Sequence, residues 1–133
     1  MIGLVVATHG NLGSELLLSA QMIIGPVINA RSVSITHDSS MEAIRDAIVQ
    51  AVTEVGKDGH GVIIVTDMFG GTPANVSMTF LEPQSVEVIT GVNLPMILKF
   101  FNSQESLGLD ELAGILKSYG QQSIALASEY LQR

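Results

Sequence analysis

Ile2-Gly3-Leu4-Val5-Val6-Ala7-Thr8-His9-Gly10 is the stretch that decides the fold. The apolar run Ile2–Ala7 reads as a strand. An open α/β sheet places its reactive groups just beyond the carboxyl ends of its strands, and Thr8-His9-Gly10 stands at that point. A second run, Gly61–Thr66, ends the same way, in Asp67-Met68-Phe69-Gly70-Gly71-Thr72-Pro73. Two strand tips therefore each deliver one polar group, His9 and Asp67, beside glycines.

Working outward, strand-like and helix-like segments alternate along the chain. Leu12–Ile24 reads as a helix, with Asn11 as N-cap and Gly25-Pro26 as its stop. Ala30–Ile35 is a second strand. Ser39–Val55 is an amphipathic helix, capped by Ser39 with Glu42 completing a capping box and Gly56 ending it. Met41, Ile44, Ile48, Ala51, Val52 and Val55 form its apolar stripe. Pro73–Leu81, Leu94–Asn102 and Leu109–Tyr119 read as further helices, the last stopped by Gly120, and Val86–Thr90 as a fourth strand. The tail 121–133 fits either a helix or an edge strand. The alternation predicts an α/β fold: a doubly wound, mostly parallel four-stranded sheet with helices on both faces. If strand one is central and neighbours strand three, His9 and Asp67 stand on adjacent strands. Gly91-Val92-Asn93 ends strand four on the same rim.

Composition narrows the function. The chain has 133 residues, the size of one domain. Only 14% of them are charged, against 47% apolar. That balance fits either a large buried sheet or a surface covered by a partner subunit. Net charge is −7 with six Lys and Arg in total, so there is no basic face for nucleic acid and no polybasic membrane patch. There is no cysteine, which removes disulfides, thiolate catalysis and cysteine metal sites. No signal peptide or membrane-length apolar run is visible, so a cytoplasmic location is expected.

The chemistry-bearing residues are few. An ordinary imidazole titrates near about 6.5 and is a good nucleophile at neutral pH. To attack phosphorus, one ring nitrogen must present a lone pair while the other holds its proton. A carboxylate accepting that N–H fixes both tautomer and ring orientation, and Asp67 is placed to do so. Gly70, Gly71 and Thr72 lead into a helix and fit equally an ordinary glycine-rich turn or an anion cradle, in which free backbone N–H groups would bind phosphate oxygens and Thr72 would offer a cap and a hydroxyl. A phosphorylated Asp67, as in a receiver domain, would need an acidic pair after strand one, and Thr8-His9 stands there instead. A module that binds an anion without covalent chemistry is the remaining alternative. No P-loop, dinucleotide fingerprint or nucleophile elbow is present. His37 and His60 fall in loops without metal-ligand spacing, and Met22, Met41, Met78 and Met96 read as core filler.

Taken together, Thr8-His9-Gly10, then Asp67-Met68-Phe69-Gly70-Gly71-Thr72-Pro73-Ala74-Asn75, then Gly91-Val92-Asn93-Leu94-Pro95-Met96 resemble the enzyme IIA component of the mannose-family sugar phosphotransferase system. The resemblance runs from Met1 to about Ser128, and residues 1–133 are read as one such domain. It implies a phosphotransferase whose His9 takes a phosphoryl group from the phosphocarrier HPr and passes it to an enzyme IIB partner for sugar uptake, with Asp67 as the essential aspartate. It also implies a homodimer exchanging a C-terminal edge strand, and no metal or organic cofactor. A stand-alone regulator sensing phosphorylation state is the alternative within the same family. The related dihydroxyacetone-kinase subunit fits less well, for want of the Gly-Gly-Thr-Pro run.

Overall fold

The strands expected from the apolar runs assemble into one sheet. In the computed structural model, which describes residues 1–131, β1 (Gly3–His9), β2 (Ala30–Ile35), β3 (Val62–Thr66) and β4 (Val86–Thr90) lie in the order β2-β1-β3-β4. Every pairing is parallel, with Ala7 opposite both Val33 and Thr66. The helices are α1 (Leu12–Ile24), α2 (Met41–Val55), α3 (Gly71–Met78), α4 (Leu94–Ser103), α5 (Leu109–Gln122) and α6 (Ala127–Leu131).

Successive strand residues point to opposite faces, and the core divides accordingly. Leu4 and Val6 of β1 join Ile63, Val65 and Ile89 under α1, α4 and α5, where Leu17, Ala20, Phe100, Leu112 and Leu116 are buried. Val5 and Ala7 join Val33, Ile35 and Ile64 under α2 and α3, with Ile44, Ile48, Val55 and Val76. The sheet is therefore covered on both faces, which is why its central strands read as continuous apolar runs. From β1 the chain winds to β2 on one side and to β3 on the other. The strand order reverses at β1, and the carboxyl ends of β1 and β3 are where open sheets of this kind bind their ligands.

Several local expectations are corrected. Ser40, not Ser39, caps α2: its Oγ accepts the Ala43 N–H at 3.0 Å. Ser39 is taken up by the preceding turn, where its Oγ accepts the Thr36 N–H, and the helix starts one residue later. Met41 then falls on the solvent side, 62% exposed. Met22 is more exposed still, so of the four methionines expected as filler only Met96 is fully buried. Gly120 does not stop α5. A Cβ there would come within 2.8 Å of Met96 Cε, so the glycine serves a close approach of α5 to α4. The edge strand allowed for in the tail is not formed among the described residues. Gln121 and Gln122 finish α5, and Ala127–Leu131 form α6. A strand is made by the edge it pairs with more than by its own residues, and residues 121–131 join no sheet in the single chain. Gln132 and Arg133, the rest of that tail, lie outside the described residues.

Candidate active site

His9 closes β1, and Asp67 follows the last residue of β3. Ala7 pairs with Thr66, so His9 stands two residues and Asp67 one residue beyond a shared pair, at the tips of adjacent strands. One carboxylate oxygen takes both donors of His9. Asp67 Oδ2 accepts the His9 main-chain N–H at 3.1 Å and lies 2.8 Å from His9 Nδ1. An ionised carboxylate is only an acceptor, so the proton of the neutral imidazole sits on Nδ1 and Nε2 keeps its lone pair. The His9 side chain is half exposed at 51%, while Asp67 is 14% exposed.

Asp67 titrates below the ordinary carboxylate value. Burial acts most strongly and raises it. It is outweighed by the hydrogen bonds from the His9 ring and main chain and by the charge interaction with the ring. Oδ1, the second carboxylate oxygen, is buried and unpaired among the described residues. Such an acceptor is costly to bury. The carboxylate is thus held ionised mainly by His9, with its own main-chain N–H adding to the effect.

The glycine-rich turn lies against the free ring nitrogen. A Cβ at Gly71 would stand 3.2 Å from His9 Cε1 and 3.4 Å from Nε2. Gly70 and Gly71 have φ of 84° and 80°, in the left-handed region that only glycine adopts without strain. Gly70 is the N-cap of α3 and no side chain caps the helix, so Thr72 sits inside the first turn and the expected Thr72 cap is not made. Pro73 in the same turn has no N–H to give. The N–H groups of Gly70, Gly71 and Thr72 are therefore the helix-start donors with no intrahelical partner.

Replacing Gly71 by alanine tests this crowding. The positive φ costs about 1–2 kcal/mol for an L-residue, and the added carbon presses on the imidazole. Gly71→Ala is expected to lower the unfolding free energy by that much, read as a lower urea midpoint at unchanged slope, and to shift the His9 ring resonances. An unchanged midpoint with an unmoved ring would refute the packing.

The third strand tip braces the site and brings no reactive group. Gly91 and Val92 N–H groups both donate to the Thr66 carbonyl, each at 3.0 Å. The Asn93 amide is occupied: Oδ1 accepts the Met96 N–H as cap of α4, and Nδ2 donates to the Gly120 carbonyl. His60 lies away from the site beside Met1, with Nδ1 2.7 Å from the amino group. The sequence reading missed Thr8, whose buried hydroxyl accepts the Gly13 N–H at 2.8 Å; nothing in the string separates a capping threonine from a plain strand residue. It also passed over Met68 and Phe69 as surface. They stand 52% and 76% exposed directly after Asp67.

Known proteins resemble this chain in sequence and fold. The family model described as "PTS system fructose IIA component" matches residues 3–116. The fructose-specific EIIA component of Bacillus subtilis is 32% identical over the whole chain and 91% of its own length. The sorbose-specific EIIA component of Lacticaseibacillus casei is 27% identical over 95% of this chain and 91% of its own length. Among solved structures, the IIA protein associated with the fucose utilisation operon of Streptococcus pneumoniae superposes with a TM-score of 0.88 at 28% identity, covering 98% of this chain and 96% of that one. With a family match over most of its length and a parallel sheet that presents a histidine–aspartate pair at its switch point, the chain belongs to the EIIA-man family of IIA components of the sugar phosphotransferase system, which are phosphotransferases working through phosphohistidine.

Proposed function

We propose that this chain carries a phosphoryl group on Nε2 of His9, taking it from phospho-HPr and giving it to an enzyme IIB partner. The observation that carries the reading is the Asp67 Oδ2 contact to His9 Nδ1, with Gly71 packed against Nε2. In the forward step the lone pair of Nε2 forms the new P–N bond as the P–N bond to the donor histidine breaks, and the donor ring recovers its lone pair. The Nδ1 proton stays on His9, facing Asp67. The transition state is loose, so positioning and charge stabilisation do most of the work. The N–H groups around Gly70, Gly71 and Thr72 are assigned to the phosphoryl oxygens. Both partners would dock on the rim that carries Leu12, Met68 and Phe69, all exposed, and this apolar ring would exclude water from the P–N bond during transfer.

Among the described residues no helix is long and apolar enough to cross a membrane. The reading places the chain in the cytoplasm, where its protein partners are. The sugars in the relatives' names differ (fructose, sorbose and fucose), so none is assigned to this chain.

The test is label transfer from radioactive phosphoenolpyruvate through enzyme I and HPr. Label that survives base and is lost in acid supports phosphohistidine. Label lost in base would point to an aspartyl phosphate, and folded protein that takes no label would point to an anion-binding module.

A homodimer belongs to the same proposal. Apart from the single bridge between Val86 and Glu82, the outer edge of β4 pairs with no strand among the described residues, and beside it runs a groove of about 580 Å³ lined by Ile89, Ala113, Lys117 and Ile124 among others. The tail leaves Ile124, Leu126, Tyr130 and Leu131 exposed, an unusual number of large apolar side chains for one short segment. Laid along the partner's β4, such a tail would cover both. Light scattering should give twice the 14.1 kDa chain mass, and removal of residues 123–133 should return the protein to monomer. A full-length monomer, or a truncated dimer, would overturn this arrangement.

A further inference from the structure

α1 starts without the cap its own sequence offers. Asn11 occupies the N-cap position, but its side chain makes no capping hydrogen bond. The acceptor comes from the preceding strand: Thr8 Oγ1 receives the Gly13 N–H at 2.8 Å in a buried position. Gly13 is pressed onto that strand, since a Cβ there would lie 2.8 Å from the Val6 carbonyl oxygen and 3.3 Å from Thr8 Oγ1. The end of β1 and the start of α1 are therefore clamped together. Between the clamped residues lie only His9, Gly10, Asn11 and Leu12.

Two other bonds hold this short loop. Asp67 accepts the His9 N–H, and the Gly10 N–H donates to the Ile35 carbonyl at 2.8 Å. These fix its first half to the sheet, and Thr8 fixes its second half to the helix. Thr8 itself is fully buried, so it does not touch a phosphoryl donor. Without its hydroxyl the Gly13 N–H has no acceptor in an apolar pocket, and the helix start must move to find one. His9 sits on the segment that would move.

We propose that Thr8 is a positioning residue for phosphoryl transfer: by capping Gly13 its hydroxyl closes the His9 loop and holds Nε2 beside Gly71. The proposal rests on the reading of His9 as the carrier. The test uses Thr8→Val, which keeps the shape and removes the acceptor, and Thr8→Ser, which keeps the acceptor. Single-turnover transfer from phospho-HPr gives the saturating rate and the half-saturating donor concentration. Imidazole nitrogen NMR gives the His9 tautomer. Displacement of a reacting group by about 1 Å costs about 10²-fold in rate. Thr8→Val should therefore transfer about 10- to 100-fold more slowly at saturation, with the half-saturating concentration within about 2-fold of wild type. Its ring signals should move away from the pure Nδ1–H form. Thr8→Ser should recover both readouts.

A folded Thr8→Val protein with wild-type rate and tautomer overturns the proposal, and so does a serine variant as slow as the valine one. Should valine crowd the helix start and prevent folding, Thr8→Ala gives the same readouts with a smaller side chain. If the wild type takes no label, the carrier reading fails. The tautomer comparison then still decides whether Thr8 holds the ring.

Discussion

His9→Ala is expected to abolish the base-stable label completely while leaving the fold intact. The imidazole is half exposed, and its one hydrogen bond among the described residues is to Asp67. Asp67 keeps the main-chain N–H of residue 9 after the ring is gone. The stability change should therefore stay within about 1 kcal/mol, as for most surface substitutions. His37 is the competitor that makes this a real test. It lies two residues beyond the end of β2, on the same carboxyl rim, and is exposed. Yet no carboxylate orients it: no hydrogen bond or ion pair among the described residues involves its ring. An imidazole free to rotate and to exchange tautomers presents its lone pair in no fixed direction. His37→Ala should accordingly take label at the wild-type rate. Label persisting in folded His9→Ala, or lost in His37→Ala, would move the carrier to the wrong strand and end the present reading.

The strands and the pair at their ends were legible in the sequence because both rest on patterns that survive in one dimension. Val62–Val65 is apolar throughout because helices cover both faces of the sheet. His9 and Asp67 follow such runs directly, so topology alone brings them together. What the string hid depends on distances between segments. Ser39 and Ser40 are both good caps, and the choice between them is made by the Thr36 N–H, which claims Ser39. Gly120 looks like a helix stop until α4 is seen to press Met96 onto it. Asn11 looks like a cap until Thr8 is found doing that work from the neighbouring strand. The tail carries apolar residues that suit a strand, but a strand needs an edge, and an edge on another molecule is not written in the chain.

Asp67→Asn should slow transfer far more than it weakens the fold. Asparagine keeps the shape and can keep one carbonyl oxygen at the Oδ2 position, because two His9 donors converge there. Its amide nitrogen then falls at the Oδ1 position, which is buried and has no partner. An unpaired buried group costs about 1–3 kcal/mol, a moderate loss of stability. The rate loses more. As Nε2 bonds to phosphorus, the ring gains positive charge, and the Asp67 carboxylate stabilises that charge where a neutral amide does not. Removing an orienting and charge-stabilising partner of this kind costs about 10²–10⁴-fold. That corresponds to about 3–5 kcal/mol of barrier. The pH dependence has a definite sign. Because the Asp67 carboxyl titrates below its ordinary value in the folded chain, its contribution to stability is present above that ordinary value. It is lost as pH falls through the lowered one. Urea melts of wild type and Asp67→Asn should therefore differ at neutral pH and converge in acid, while the rate gap is measured at neutral pH, where the carboxylate is ionised. A folded Asp67→Asn protein that accepts phosphoryl groups at the wild-type rate would leave His9 without its orienting partner and remove the aspartate from the mechanism.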